Sequence, residues 1–417
     1  MSLAERTVPI DTCRLSGRDH DTWPALRPPV RSSMRAALAR AVLRRVAHQT
    51  GIRVEMPSGA WYGHPGGPRM HLHRPDDFFT RVGRSGKIGF GESYMAGDWD
   101  AADDLADLLE PMARNLQTLI PPSLQWLRRF YEPKPPAEED NDQPGARRNI
   151  AHHYDLSNEL FALFLDSTMT YSSALFAGPE ETLEQAQARK IERLLDATMV
   201  AAGSRVLEIG TGWGELAIRA ARRGAKVTSL TLSREQAEMA RQRVANGGLS
   251  GSVDVLEQDY RLSSGRFDAV VSVEMIEAVG ERWWPVYFQT LEQRLAPGGR
   301  VGLQSILMGH DDMIATRPSW TWIHKYIFPG GIIPSLEAIH QTLGLHTGLR
   351  VVDRLQFGSS YAETLRRWRT SFDRQTTAVE ALGFDPVFQR MWDFYLAYSE
   401  AGFRSGHLDV AQLVLSR

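Results

Sequence analysis

Residues 206–215 read VLEIGTGWGE, a short apolar run broken by Gly210, Gly212 and Gly214. Glycine is needed where backbone turns tightly and passes a ligand with no Cβ in the way. A dinucleotide loop requires G-x-G-x-x-G, and the position of its third glycine is Glu215 here. The spacing is instead G-x-G-x-G, with the acidic Glu208 at the end of the apolar run. Outward from this turn the pattern alternates. Apolar runs at 205–209, 226–231, 253–256, 267–273 and 300–306 predict strands. Residues 215–223, the stretch that Ser233 caps and residues 283–295 predict helices. Such alternation predicts an α/β fold whose parallel sheet is covered on both faces. Ligands of these sheets bind beyond the carboxyl ends of the strands.

The chain's 417 residues suffice for two or three folded units. Residues 132–147, EPKPPAEEDNDQPGAR, hold four prolines and five acids with little to bury, and read as a linker. They separate an N-terminal domain, 1–131, from a C-terminal one, 148–417. With 48 basic against 50 acidic residues and a net charge of -2, no overall field attracts nucleic acid. The lone Cys13 excludes internal disulfides and multi-cysteine zinc sites, and no metal site is expected. No run reaches the roughly 18 apolar residues of a spanning helix. The first 20 residues carry charges and no apolar h-region. A cytoplasmic protein is the expectation.

The glycine turn resembles motif I of the S-adenosylmethionine-dependent methyltransferases. That resemblance implies their Rossmann-like fold. It puts Glu208, Gly210, Gly212 and Gly214 around the amino-acid end of S-adenosylmethionine, and Asp259 and Tyr260 of QDYR at its adenine. Thr231, Leu232 and Gln236 of TLSREQ fall where many relatives grip the ribose with an acid, which this chain lacks. Ser233 there also reads as a plain N-cap.

A more specific resemblance rests on six motifs in order: RKIERLLDATMVAAGSRVLEIGTGWGELA, TLSREQ, QDYR, FDAVVSVEMIEAVG, KYIFPGG and FGSSYAETLRRW. Together they resemble the cyclopropane-fatty-acid synthase family, which includes the mycolic acid cyclopropane synthases, over about residues 148–417. GFGESYMAGDW, 89–99, extends the likeness into the N-terminal region of the phospholipid-acting members. The family moves the sulfonium methyl of S-adenosylmethionine onto a cis double bond of an acyl chain. An alkene is a weak nucleophile, so the site must align it with the methyl and shelter a carbocation. Aromatic faces suit a cation, and Tyr154, Tyr171, Tyr260, Tyr326 and Tyr361 fall within the family's motifs.

In the family a bound bicarbonate, held by a Cys, a Glu, a His and a Tyr, is the proposed base. The resemblance implies Glu277 of SVEMIEAVG and Tyr361 of FGSSYAETL for two of these. The Cys is Ser173 in MTYSSALF, beside Tyr171 and Ser172, which the resemblance assigns to the cofactor. The His is Gln304 in GLQSILM, and a second family cysteine is Ser399. Ser and Gln still hydrogen-bond an anion, but no imidazole handles the proton. Glu277 is then the base directly or through a bound anion.

These changes, with MGHDDMIATRPSWTWIHKYIFPGG, resemble the actinobacterial branch that makes 10-methylene precursors of tuberculostearic acid. The implied chemistry is methyl addition at C10 of an oleoyl chain, a hydride shift from C10 to C9, and proton loss from the new methyl. A cyclopropane synthase with an altered anion site is the alternative, and a non-catalytic lipid-binding protein is the alternative of another class. Reducing the methylene would need a separate reductase, and a homo-oligomer is expected.

The substrate would be an unsaturated phospholipid of the inner leaflet, which needs a membrane-facing surface on the smaller N-terminal lipid-binding domain. Met34, Leu38, Ala41/Val42 and Val46 recur at helical spacing, Ser32 or Ser33 caps the start and Gly51 follows the end. Seven arginines and no acid lie from Arg27 to Arg53. A basic amphipathic helix lies on an anionic leaflet, or packs its stripe on its own domain. Leu365, Trp368 and Phe372 share one face of a later helix and are expected to wall an acyl channel.

Overall fold

The computed structural model describes residues 22–30, 32–115, 136, 139–154 and 157–417, the side chains of 150–154 excepted. Cys13, Arg31 and the Tyr154 side chain lie outside these. The chain divides into two compact units, Met1–Glu132 with Gly383–Phe394, and Pro133–Leu382 with Tyr395–Arg417.

In the first unit, α1 (Ser33–Thr50), α2 (Pro75–Met95) and α3 (Leu105–Arg114) accompany a four-stranded sheet. Its strands β1 (Arg53–Glu55), β2 (Trp61–Gly63), β3 (Arg69–Leu72) and β4 (Trp99–Ala101) run in the order β2-β1-β3-β4. Helix α1 stops at Gly51, whose left-handed φ of 74° closes the last turn on Ala47 O. Two apolar faces share this helix. Ala39, Leu43, Val46 and Ala47 are buried, whereas Met34, Leu38 and Val42 are exposed. The expected single stripe is therefore split, with only Val46 of it facing inward.

Residues 383–394 sort with this unit, not with the C-terminal domain to which sequence spacing assigns them. The physical reason is polar. Buried Arg390 donates to Tyr94 O at 2.6 Å and Trp99 O at 3.0 Å, and Tyr94 Oη donates to Asp393 Oδ2 at 2.5 Å.

The second unit is built on seven strands: β5 (Arg205–Ile209), β6 (Lys226–Thr231), β7 (Val253–Glu257), β8 (Phe267–Val273), β9 (Leu295–Met308), β10 (Arg350–Gln356) and β11 (Leu408–Ser416). Their order is β10-β11-β9-β8-β5-β6-β7. The β5–β9 pairings are parallel, and β11 runs antiparallel between β9 and β10. The sheet is thus mixed, not wholly parallel.

Period-2 alternation assigns each strand residue to a face. Val206, Val227, Ala269 and Val271 pack with helices α4 (Leu183–Ala197), α5 (Glu215–Arg222) and α6 (Arg234–Asn246). Leu207, Ile209, Val270 and Leu303 pack with α7 (Trp284–Arg294) and α8 (Leu336–His346). Glu208 falls on the α4 side by the same rule. Helix α9 (Gly358–Asp373) and helix α10 (Pro386–Arg404) precede β11, and the boundary between units falls within α10.

The linker reading of 132–147 does not hold throughout. Asn141 is buried, donates to Gly330 O at 2.9 Å and accepts from Asn149 at 2.9 Å, and a helix runs from Gln143 to Tyr154. Its ordering comes from polar pairing, which a search for apolar burial does not register.

Candidate active site

Where β5 ends, Gly210 turns with φ 96° while the N–H groups of Gly210 and Thr211 donate to Leu230 O at 2.9 and 3.1 Å. A Cβ on Gly210 would lie 2.6 Å from Met275 Cγ. Gly212, at φ 50°, has no atom within 4 Å of where its Cβ would stand. This open side of the loop belongs to a pocket at the carboxyl ends of β5, β6 and β8. Every cofactor residue expected from sequence borders it except Gly214. Gly214 instead starts α5 at φ 90°, and its Cβ would be 3.2 Å from Ala240.

The pocket's polar groups come from the strand ends. Glu208 pairs in register with Ser229 across β5 and β6, and the Ser229 hydroxyl donates to its carboxylate. Burial pushes Glu208 up to about 8, against the pull of that hydroxyl and of Lys190. Lys190 of α4, also buried, donates to Ser172 Oγ at 2.6 Å and is lowered to about 8 by desolvation, against the nearby charge of Glu274. After β6, Thr231 Oγ1 donates to Gln236 Oε1 at 3.0 Å, leaving the Gln236 amide N–H groups as its donors. After β7, Asp259 Oδ1 accepts from Arg261 N–H and Nε, both at 2.9 Å, while Oδ2 accepts from Arg261 Nη2 at 2.6 Å and keeps a lone pair for a further donor. Tyr171 also borders the pocket, its hydroxyl 2.8 Å from that of Tyr395.

These groups fit S-adenosylmethionine. The loop offers bare backbone at Gly212, Glu208 can face an ammonium, and amide and carboxylate groups stand at the next two strand ends.

Three of the four residues expected to do chemistry, Ser173, Gln304 and Tyr361, converge on a group that sequence reading missed. Glu274 follows β8 directly, in the left-handed region at φ 51°. Its Oε1 accepts from Ser173 N–H at 2.9 Å and from Gln304 Nε2 at 2.8 Å, and its Oε2 accepts from Tyr361 Oη at 2.7 Å. Gln304 is oriented by Gln412 of β11, whose Nε2 donates to Gln304 Oε1 at 3.1 Å. Glu274 borders the cofactor pocket, so the residue is only half-buried, but its carboxyl group is desolvated and its pKa raised. The charge of Lys190 and the three hydrogen bonds oppose that rise. Burial, and then the Glu274 charge, push the Tyr361 phenol well up.

Glu277 is held elsewhere. It accepts from Ser305 Oγ at 2.9 Å and Ile306 N–H at 2.5 Å, while its buried Oε2 has no hydrogen-bond partner among the described residues. Burial, and then the charge of Glu274, push it up to about 8. The donor set assigned to bicarbonate does not fit a second anion. The Ser173 N–H, the Gln304 amide and the Tyr361 hydroxyl are engaged by Glu274, and the Ser173 hydroxyl donates to Ala174 O at 3.0 Å.

Aromatic residues flank this cluster. Trp368 is buried, with ring centroids 5.2 Å from Tyr171, 6.3 Å from Tyr361 and 6.3 Å from Phe164. Leu365 and Phe372 are buried beside it, and Phe372 stacks edge-on against Phe164. The face expected to wall an acyl channel is buried, with Trp368 and Phe372 edge-on to Phe164.

The strand order, the glycine loop after β5 and the polar groups after β6 and β7 define an S-adenosylmethionine-dependent methyltransferase. The chain belongs to the mycolic acid cyclopropane synthetase family, which matches residues 141–413. It is 52% identical over 411 residues, 96% of each chain, to the tuberculostearic acid methyltransferase UfaA1 of Mycobacterium tuberculosis. It is 35% identical to the cyclopropane-fatty-acyl-phospholipid synthase of Escherichia coli, over 82% of this chain and 86% of that one. The crystal structure of mycolic acid cyclopropane synthase CmaA1 with SAH and CTAB superposes with a TM-score of 0.61 at 31% identity. That match covers 65% of this chain and 98% of CmaA1.

Proposed function

We propose that this enzyme methylates the cis double bond of an oleoyl-type chain in a membrane phospholipid and releases a 10-methylene chain. The observation that carries the reading is a cofactor loop opening onto a carboxylate, phenol and amide cluster that contains neither thiol nor imidazole. The likeness to a tuberculostearic acid methyltransferase, spanning both chains almost end to end, supports it.

Bound at the loop, S-adenosylmethionine supplies an electrophilic methyl. The protein's own groups do the rest. Tyr171, which borders the cofactor pocket beside Trp368, offers an aromatic face that stabilises a cation without bonding to it, and Tyr361 holds the adjoining carboxylate. A cation at C9 is converted by hydride shift to a tertiary cation at C10, and a buried carboxylate accepts the proton lost from the new methyl.

No helix among the described residues is long and apolar enough to cross a membrane. Access to lipid is assigned to α1. Its exposed row of Met34, Leu38 and Val42 is bordered by Arg35 and Arg45, a pattern suited to the surface of an anionic inner leaflet. The test is transfer of labelled methyl to dioleoyl phospholipid vesicles. Label in the acyl chain supports the enzyme; no turnover would leave only a lipid-binding protein.

A further inference from the structure

The geometry points to Glu274 as the built-in proton acceptor of this enzyme, standing where the family resemblance places a bound bicarbonate. This rests on the functional reading above and names the base within that site.

Three observations carry it. First, the donors are converted in function rather than lost. Ser173, Gln304 and Tyr361, which the resemblance assigns to holding an anion, all donate to one side-chain carboxylate. A carboxylate and bicarbonate present the same planar pair of acceptor oxygens, and one that is covalently attached needs no binding step. Second, the backbone is strained to place it. A non-glycine residue in the left-handed region is sterically disfavoured, and such outliers persist where the surrounding structure holds them for a task. Here Glu274 N–H donates to Gln304 O at 2.8 Å, fixing that conformation at the end of β8. Third, Glu274 borders the cofactor pocket and Glu277 does not.

In the reaction, the C–H pair of the new methyl becomes the π bond of the methylene and the cation at C10 is discharged. The proton passes to a Glu274 oxygen and leaves to solvent before the next turnover. No oxidant, reductant or second anion is consumed.

The experiment uses the full-length enzyme, labelled S-adenosylmethionine and dioleoyl phospholipid vesicles in carbon-dioxide-stripped buffer, with and without added bicarbonate. The wild type should turn over equally in both. Glu274→Gln, close in shape, should lose ~100-fold or more in rate while its affinity for S-adenosylhomocysteine by calorimetry stays within about 3-fold. In spectra with 13C-bicarbonate, Glu274→Gly should show a bound signal absent from the wild type. Acyl labelling that requires bicarbonate, or a Glu274→Gln enzyme that keeps its rate, would overturn this assignment and leave the functional reading standing. No acyl label in either buffer would overturn both.

Discussion

Tyr361 Oη donates to Glu274 Oε2 across 2.7 Å, joining an aromatic face to the carboxylate that ends β8. That bond favours the ionised form of Glu274, as do those from Gln304 and Ser173. Tyr361→Phe removes it and lets the Glu274 pKa rise further. The acid limb of the pH–rate profile should therefore move to higher pH. The rate at neutral pH should fall by ~10-fold, equivalent to about 1.4 kcal/mol. A purely structural role for Tyr361 would lower the rate without moving the limb.

Glu208 predicts a proton-coupled cofactor site. Burial holds it near 8, and an ammonium beside it would favour the charged form. Binding of S-adenosylhomocysteine near pH 7 should then release up to one proton, measured by calorimetry in buffers of different ionisation enthalpy. Glu208→Gln should abolish the release and weaken binding by ~10–100-fold. Without cofactor the folded state keeps a proton that the unfolded chain has lost above 4.5. Stability should fall as pH rises from 4.5 to about 8, and the Gln variant should flatten that slope.

Gly212 separates backbone strain from ligand contact. With open space where its Cβ would stand, Gly212→Ala should cost only about 1–2 kcal/mol of stability from its left-handed φ. Its affinity for S-adenosylhomocysteine should fall by much more, on the order of 100-fold, because the methyl enters the cofactor's path. Gly210→Ala, meeting Met275 Cγ at 2.6 Å, should lose more stability as well. Thermal melts and calorimetry on the two variants check the contrast.

The exposed row on α1 predicts a membrane defect without a folding defect. Met34 is 79% and Leu38 67% exposed, so Met34→Ser with Leu38→Ser should leave stability within about 0.5 kcal/mol. Partition onto anionic vesicles, measured by sedimentation, should fall by ~10-fold or more. Arg35→Gln and Arg45→Gln should each weaken it by about 1 kcal/mol, an effect that salt removes.

The five parallel strands were legible because each is a short apolar run next to a glycine or a helix cap. The antiparallel β10 and β11 were not. β10 is an exposed edge with four charged or amide side chains among seven residues, and β11 pairs antiparallel at long range with β9, about a hundred residues away in sequence. The cofactor pocket followed from the glycine turn and the residues at successive strand ends. Glu274 lies within FDAVVSVEMIEAVG, but an acid after an apolar strand carries no sign of its donors, which arrive from a loop, β9 and α9. Lys190 was hidden in the same way, as one charge on an amphipathic helix whose burial only packing reveals.

Proton NMR of the product chain separates an enzyme that makes a methylene from one that closes a ring. The two products have equal mass, so the spectrum must separate them. Vinylidene protons in the olefinic region are the predicted result; ring protons far upfield, with no vinylidene signal, would contradict it.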